Sequence, residues 1–271
     1  MAQDRLTAIL TRPAGRNKVV MNSLLRRGWS VLECPAIDIR EVLVDAKAVP
    51  RPEQFDLIVF VSRAAVTGYH AQLTAADCPN WPSHSLAACM GPVTASAIRR
   101  AFGQTVPILH PDGSCAQDSE SLWPILLDLD PPLKKVLIVR GQDGRDWLSQ
   151  RLRERGVEVS YQQAYRRQET HWPLSMSEHF RFLCTQGVQP TWLLTSPHGV
   201  EAIYRNIKSI GLLEWFAACT FILTHERLGP LLSQLLERPV ERLSCLLATP
   251  EDVVILECFE QITRKDNFFQ R

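Results

Sequence analysis

The segment KKVLIVRGQDGRDWLSQRLRERGVEVSYQQAYRR, residues 134–167, decides the fold of this 271-residue chain. It opens with an apolar, β-prone stretch, and residues 142–156 then have the pattern of a helix that ends at Gly156. Residues 157–167 return as a strand that does not stop at a tight turn but continues into polar residues around Tyr165. A strand, a helix and a strand in this order predict a βαβ unit with parallel strands.

The same pattern occurs near the N-terminus. Residues 6–13 (LTAILTRP) are predicted to form a strand, residues 14–28 a helix that ends at a glycine, and residues 29–39 a second strand. At a constant offset the two segments share the following residues: Arg12 and Arg140, Leu24 and Leu152, Arg27 and Arg155, Gly28 and Gly156, Val31 and Val159, Ala36 and Ala164. This match indicates an internal duplication of a β/α unit.

Further strand–helix pairs extend the duplication along the chain. DLIVFVSRAAVTGY (56–69) aligns with PTWLLTSPHGVEAIY (190–204), and LAACMGPVTASAIRRAFG (86–103) aligns with CTFILTHERLGPLLSQLL (219–236). Alternating strands and helices favour parallel sheets that are covered by helices on both faces. We therefore predict an α/β fold with two domains of parallel β-sheet flanked by helices.

The domain organisation follows from the strand after the first helix of each half. Either each half forms its own domain, or the halves exchange segments, and two long strands at equivalent positions favour exchange because they could pair as a two-stranded β connection. We predict a discontinuous domain 1 of residues 1–38 and 169–271, an inserted domain 2 of residues 42–165, and connecting strands around 36–44 and 162–170. Two strand crossings also account for the lack of a Gly/Ser-rich linker.

The composition is that of a globular protein without a global charge bias. The chain is 45% hydrophobic and 22% charged with a formal net charge of +1, so neither nucleic acid nor a membrane surface is an expected partner. The N-terminus lacks a basic region followed by an apolar core, and no apolar run reaches the roughly 20 residues of a membrane span. We predict a monomer without a signal peptide that acts on a small molecule.

The spacing of cysteine and histidine indicates neither a metal site nor a disulfide framework. The eight cysteines contain no C-x-x-C pair, and the seven histidines contain neither H-x-x-x-H nor H-E-x-x-H. We predict reduced, mostly buried thiols in a cytoplasmic protein that uses no metal and no cofactor. The chain also lacks a Walker A loop and a G-x-G-x-x-G turn after a strand, which disfavours ATP and dinucleotides.

Six strand-to-helix turns are candidate binding sites: TRPAGRN, VSRAAV, MGPVTA, RGQDGR, TSPHGV and LTHERLG. Such turns lie at the carboxyl ends of parallel strands, where ligands bind, and their helix N-termini favour anions. The arginines in or beside these turns are Arg12, Arg16, Arg63, Arg140, Arg145 and Arg227. Turns from two domains would line a cleft suited to a large polycarboxylate, although the same residue types also cap helices without binding anything.

Several of these motifs together resemble the uroporphyrinogen-III synthase family. The order ILTRP, FVSRAAV, MGPVTASAI, VLIVRGQDGRDWLSQRLRERGVEV, AYRR and LLTSPHGV carries the resemblance, which runs from about Leu6 to Phe259. It implies two α/β domains joined by a two-stranded β connection. It also implies a cofactor-independent lyase of haem biosynthesis, which cyclises the linear tetrapyrrole hydroxymethylbilane to uroporphyrinogen III with inversion of ring D and loss of water.

The resemblance also implies roles for individual residues. Tyr165 matches a family tyrosine that helps the substrate hydroxyl to leave, and the alternative places this side chain at the domain junction with its hydroxyl in solvent. The implied substrate-binding residues are Arg12, Ser62, Arg63, Thr94, Arg140, Gly141, Ser196, Pro197, His198, Thr224 and His225. LTHERLG departs from the G-P-T-T-A of many members, which leaves open whether this turn contacts the substrate, and Thr224 or His225 could substitute.

Two further expectations remain open at this level. Alternation along a strand predicts that one of Arg166 and Arg167 faces the cleft and the other faces solvent. The competing functional reading is a two-lobed non-enzymatic protein that binds an anion or regulates a partner, derived from the same duplicated fold.

Overall fold

The computed structural model describes residues 6–42, 44–112, 118–142 and 144–269, with side chains described as far as residue 264. The strands are β1 (Thr7–Leu10), β2 (Ser30–Glu33), β3 (Ile37–Glu41), β4 (Leu57–Phe60), β5 (Leu86–Cys89), β6 (Ile108–Leu109), β7 (Lys135–Gly141), β8 (Glu158–Glu169), β9 (Thr191–Leu194), β10 (Thr220–Leu223) and β11 (Ser244–Leu247). The helices are α1 (Lys18–Arg26), α2 (Arg63–Ala75), α3 (Pro92–Phe102), α4 (Ser119–Leu127), α5 (Trp147–Glu154), α6 (Leu174–Thr185), α7 (Pro197–Ser209), α8 (Leu213–Ala217), α9 (Leu228–Leu236) and α10 (Asp252–Phe269). Short 3-10 helices cover Ala46–Ala48, Pro52–Gln54 and Val240–Arg242.

The chain divides into two compact units. Unit 1 comprises Met1–Asp38 and Gln168–Arg271, and unit 2 comprises Ile39–Arg167. The chain passes from one unit to the other in β3 and again in β8. Residues 1–5 and Leu43, which fall within the predicted domain spans, lie outside the described residues.

Unit 1 contains a parallel sheet in the order β11-β10-β9-β1-β2. One apolar cluster on this sheet is rich in aromatic side chains and includes Trp192, Phe180 and Phe221, whereas a second cluster includes Trp29 and Phe259. Strand residues alternate between the two clusters, as Trp192 and Leu193 do, because successive side chains point to opposite faces. The sheet is therefore buried on both sides, as parallel sheets require.

Unit 2 contains a sheet in the order β3-β8-β7-β4-β5-β6, in which the pairs from β8 to β6 are parallel. Its two apolar clusters again alternate along the strands, with Phe60 and Leu137 in one and Val59 and Val136 in the other. In each sheet two neighbouring strands mark the point where the strand order reverses. They are β1 and β9 in unit 1, and β4 and β7 in unit 2, and from each pair the following strands extend to opposite edges of the sheet. Such topological switch points open a crevice at the carboxyl edge of the sheet.

The mixed α/β architecture predicted from the sequence is confirmed, but one predicted strand is wrong in detail. The strand expected over residues 29–39 is interrupted between β2 and β3, at residues 34–36. Pro35 has no N–H to donate to a neighbouring strand, and Ala36 donates instead to the carbonyl of Thr11 at 3.0 Å. The interruption therefore follows from proline chemistry that the apolar pattern conceals.

The two predicted helix stops have the same geometry. Gly28 and Gly156 adopt φ values of 83° and 79°, which residues other than glycine rarely adopt. After each glycine the next N–H donates back to a leucine carbonyl, from Trp29 to Leu24 and from Val157 to Leu152, both at 3.1 Å. Gly28 and Gly156 thus reverse the chain from helix to strand by a left-handed cap.

The connecting strands β3 and β8 run antiparallel. The N–H of Val42 donates to Ala164 at 3.3 Å, and the N–H of Thr170 donates to Ala36 at 3.1 Å, so residue numbers rise on one strand as they fall on the other. The sequence repeat relates these two hydrogen bonds to each other. The same offset in residue number leads from Ala36 to Ala164 and from Val42 to Thr170. The connection therefore has the same geometry at both of its ends.

The described cysteines are all free thiols, and Cys115 lies outside the described residues. Burial raises the pKa of Cys34 and of Cys219 to about 12, well above the ordinary value near 9.0. Both thiols therefore stay protonated in the folded protein at pH values at which the unfolded chain would already release their protons.

We predict that the free energy of unfolding decreases as pH rises above about 9, because the unfolded state then binds fewer protons than the folded state. Each of the two thiols contributes up to about 1.4 kcal/mol per pH unit between its unfolded and folded pKa values. Urea unfolding under reducing conditions at several pH values from 8 to 11 measures this slope. Cys34→Ser and Cys219→Ser should each make it shallower, and a slope unchanged by both substitutions would contradict the prediction.

Candidate active site

The carboxyl edge of the unit 2 sheet brings together three of the predicted residues. Ser62 follows β4, Gly141 ends β7 and Tyr165 lies in β8, and β4 and β7 flank the switch point. Ser62 is the N-cap of α2, since its Oγ accepts a hydrogen bond from the N–H of Ala65 at 3.3 Å. The site is therefore built from one helix start and the ends of two adjacent strands.

A β-bulge in β8 turns Tyr165 towards this edge. Arg140 pairs with Gln163, but the next residue, Gly141, pairs with Tyr165, so Ala164 is the extra residue of the bulge. As a result Ala164 and Tyr165, although adjacent in a strand, both pack into the same apolar cluster, on the α2 side of the sheet. A regular strand would have placed one of them on the opposite face.

The hydroxyl of Tyr165 faces Ser62. The Oγ of Ser62 donates to the Oη of Tyr165 at 3.3 Å, and the tyrosine is only 5% exposed. Both groups are hydroxyls, so either can donate in this bond, and with Ser62 as the donor the phenolic proton of Tyr165 is available for a substrate. The Tyr165 ring is buried, and its role in the reaction stays a prediction.

Gly141 is required by the close approach of the Tyr165 ring. A Cβ at position 141 would lie 2.9 Å from two ring carbons, Cε2 and Cζ, and 3.3 Å from the hydroxyl oxygen. Contacts of that length do not occur without displacing the ring. The predicted R-G motif thus contributes a space for the tyrosine through Gly141, in addition to the cation of Arg140.

Arg63 and Thr94 occupy first turns of helices in unit 2. Both are half-buried, Arg63 as the first residue of α2 and Thr94 in the first turn of α3. Burial raises the pKa of the Cys89 thiol, which therefore remains protonated and donates to the carbonyl of Gly91 at 3.4 Å, at the N-cap of α3. These two turns present a cation and a hydroxyl beside the N-termini of their helices.

Arg140 is held in place by interactions within unit 2. Its guanidinium donates to the carboxylate of Asp146 at 2.8 Å and lies 4.3 Å from the centroid of the Tyr161 ring. The arginine side chain is 18% exposed. The arginine is therefore oriented, and its charge is balanced by an acidic residue that the sequence motif R-G-x-x-G-R-D already contains.

Unit 1 repeats the helix-capping geometry at its own switch point. The Oγ of Ser196 caps α7 by accepting from the N–H of Gly199 at 3.2 Å, and Pro197 occupies the first helical position. His198 is exposed on the first turn of the same helix. Ser196 therefore has the role in unit 1 that Ser62 has in unit 2, which is the pairing that the sequence repeat predicts.

Thr224 and His225 shape the divergent turn of unit 1. The Thr224 hydroxyl is buried and donates to the carbonyl of Thr195 at 3.3 Å. The exposed His225 accepts a hydrogen bond from the N–H of Arg227 through its Nδ1 at 3.2 Å. Both side chains thus organise the backbone of unit 1, and the histidine ring keeps its second nitrogen towards solvent.

Arg12 makes an ion pair that sequence reasoning missed. Its guanidinium donates to the carboxylate of Asp252 at 2.5 Å and to the carbonyl of Pro250 at 2.6 Å, and its side chain is 11% exposed. Asp252 is the first residue of α10, far along the chain. An acidic residue opening a helix was the available sequence signal, but periodicity gives no reason to pair it with Arg12.

Arg166 and Arg167 are both exposed, and the expectation that one of them faces the cleft and the other solvent stays a prediction. β7 ends at Gly141, which pairs with Tyr165, and β8 therefore continues past the end of the neighbouring strand. Burial alternates along a strand only where one face of the strand is covered by other residues. Within the described part of the chain, neither face of β8 is covered at these two positions.

Among the described residues, no group of three or more His, Cys, Asp and Glu side chains could hold a metal ion. Over the same residues, no helix is both long and apolar enough to cross a membrane.

Comparison with known proteins agrees with the resemblance found in the sequence motifs. The family model described as "Uroporphyrinogen-III synthase HemD" matches residues 19–230. The chain belongs to the uroporphyrinogen-III synthase family. It is 28% identical over 233 residues to the uroporphyrinogen-III synthase of Salmonella typhimurium, and the match covers 85% of this chain and 92% of that protein. It is 26% identical over 238 residues to the corresponding Escherichia coli protein, with the same coverage.

Solved structures of family members share the fold. The Helicobacter pylori uroporphyrinogen-III synthetase superposes with a TM-score of 0.55 at 16% identity, covering 95% of this chain and 99% of that one. A mutant synthase from Thermus thermophilus gives a TM-score of 0.54 at 16% identity, with coverage of 96% and 99%. These likenesses support the α/β architecture of the family.

We predict that Gly141→Ala destabilises the protein by about 1–3 kcal/mol, because the new methyl group forces the Tyr165 ring to move. Urea unfolding measures the cost. In a Tyr165→Ala background the ring is absent, so the same substitution should cost less than about 0.5 kcal/mol there. An equal cost in both backgrounds would show that Gly141 is required for a reason other than the tyrosine.

Proposed function

We propose that this chain is a uroporphyrinogen-III synthase, a lyase that converts hydroxymethylbilane into uroporphyrinogen III and water. The observation that carries the proposal is the Tyr165 hydroxyl, a phenol that forms a hydrogen bond with Ser62 at the switch point of unit 2 and can donate a proton. The relatives from Salmonella typhimurium and Escherichia coli carry the same name as the proposed activity.

The first chemical step is loss of the substrate hydroxyl. The C–O bond of the hydroxymethyl group breaks as the ring A nitrogen supplies electrons, and the oxygen leaves as water after taking a proton from Tyr165. A phenol is protonated at neutral pH and can act as a general acid in this step. The product of the step is an electrophilic azafulvene, and Ser62 stabilises the transient phenolate by donating to its oxygen.

Ring inversion requires control of shape more than strong acids or bases. Ring D attacks the azafulvene through its substituted carbon to give a spiro intermediate, which fragments and recloses with ring D reversed. The carbon that joins last loses a proton, which restores the proton given by Tyr165. Because the bilane closes unaided to the uninverted isomer, the main task of the protein is to hold one folded geometry of the chain of pyrroles.

The protein can hold this geometry by binding the carboxylates of the substrate. We assign them to the first turns of α2, α3 and α7, where free N–H groups accompany Ser62, Arg63, Thr94 and Ser196. Pro197 and His198 belong to the same turn as Ser196, and His225 is the exposed side chain of the divergent turn. The remaining members of the predicted set have structural partners within their units, so we assign them an indirect role: Arg12, Arg140, Gly141 and Thr224.

The chemistry as written requires no metal, no cofactor and no second subunit, and we propose that the protein works as a monomer without them. Its substrate is a small polycarboxylate, and no nucleic acid takes part. The free thiols of the described cysteines support a reducing compartment, for which we propose the cytoplasm.

The test supplies freshly prepared hydroxymethylbilane to the purified full chain and resolves the uroporphyrin isomers after oxidation. The proposed function predicts that isomer III is the main product, because ring closure on the enzyme is faster than spontaneous ring closure. Isomer I alone, at the rate of the buffer control, would overturn the proposal and favour a non-enzymatic anion-binding role for the same fold.

The same assay examines the proton donor. Tyr165→Phe removes the hydroxyl but keeps the ring against Gly141, and we expect turnover to fall by about 10²–10⁴-fold with little loss of stability. Tyr204→Phe on α7 is the matched control and should retain wild-type turnover. Unchanged turnover in Tyr165→Phe would remove this residue from the mechanism.

A further inference from the structure

A buried glutamine on α2 contacts both strands of the connection. Gln72 is 6% exposed, and its Nε2 donates to the carbonyl of Val42 at 2.8 Å and to that of Gln163 at 2.9 Å. Its Oε1 accepts from the side-chain amide of Gln162 at 2.8 Å. Val42 follows β3, whereas the other two partners lie in β8, so one amide group fixes the spacing of the two chain segments.

The same face of α2 contacts β8 at two further points. A Cβ at Gly68, one helical turn before Gln72, would lie 2.1 Å from the carbonyl oxygen of Ala164. Ser62, at the start of the helix, contacts the hydroxyl of Tyr165. Successive positions along α2 therefore contact successive residues of β8 in reverse order, from Tyr165 through the bulge to Gln162.

These contacts define where the bulge lies. A slip of β8 by one residue would exchange the side chains that face α2 and would move the Tyr165 hydroxyl away from Ser62. The slip would also move the carbonyl of Gln163 and the side chain of Gln162 away from the Gln72 amide. A buried carbonyl that loses its donor is costly, so the glutamine disfavours every register but the observed one.

We propose that Gln72 is a positioning residue for the reaction: it fixes the bulge of β8 and thereby places the Tyr165 hydroxyl. The inference rests on the proposed function, because it assumes that Tyr165 donates the proton. It adds a residue outside every strand-to-helix turn, one whose side chain acts on the catalytic group only through the backbone.

Unit 1 offers a matched control. Asn206 lies on α7 at the position that corresponds to Gln72 under the alignment of Ser62 with Ser196. Its Nδ2 donates to the carbonyl of Thr170 at 2.9 Å, and its Oδ1 accepts from the N–H of Trp172 at 3.2 Å. Both amides thus hold the chain beside the connection, but Asn206 binds residues beyond the end of β8 and not the bulge.

The decisive experiment compares Gln72→Met in two backgrounds, wild type and Tyr165→Phe. Methionine fills a similar volume without a hydrogen-bond donor. In the wild-type background we expect kcat for isomer III to fall by about 10–100-fold with KM changed less than about threefold, because a displaced catalytic group lowers the rate more than binding. In the Tyr165→Phe background the further fall should be less than about threefold.

Equal factors in the two backgrounds would overturn the inference, since a merely structural residue lowers both activities alike. Asn206→Leu should give equal factors, and Gln72→Asn supplies a milder variant if Gln72→Met does not fold. Hydrogen exchange of the amides in residues 162–166 supplies a readout that is independent of activity. It should accelerate in either Gln72 variant and not in Asn206→Leu, and unchanged exchange would also overturn the inference. A wild-type chain that makes no isomer III would instead refute the proposed function.

Discussion

The contact between Gly68 and the carbonyl of Ala164 is the constraint on which the geometry of the site depends. No side chain fits between α2 and β8 at this point, because even a methyl group would lie 2.1 Å from the carbonyl oxygen. The close approach lets the start of α2 reach Tyr165 and lets Gln72, one turn later, reach the backbone of both connecting strands. One helix thus carries the N-cap hydroxyl, the close contact and the buried amide.

The residues that stabilise the fold differ from those that we propose to bind the substrate. The apolar clusters on both faces of each sheet stabilise the units, whereas the helix starts at the carboxyl edges are suited to binding anions. Arg12 and Arg140 stabilise the fold, since each pairs with an aspartate of its own unit. Arg63 and the helix starts are the groups that we propose to bind the substrate.

Much of the fold could be predicted from the sequence because its signals are local. Apolar runs identify the strands, and Gly28 and Gly156 mark helix ends because only glycine readily adopts their backbone conformation. Other features depend on residues distant in the chain. The bulge at Ala164 packs against α2, which lies far away in the chain, and the ion pair between Arg12 and Asp252 joins opposite ends of the sequence, so neither leaves a periodic signal. The break at Pro35 was visible in the sequence, but the apolar residues around it concealed its effect.

Hydrogen exchange in the presence of the product tests most directly the claim that the helix starts at the carboxyl edge of each sheet bind the substrate carboxylates. The measurement compares the full chain with and without uroporphyrinogen III under anaerobic conditions. We expect slower exchange of the first-turn amides of α2 and α7, at residues 63–64 and at His198, with no change in the edge strands β6 and β11. Binding of the product without protection of either helix start would contradict the account.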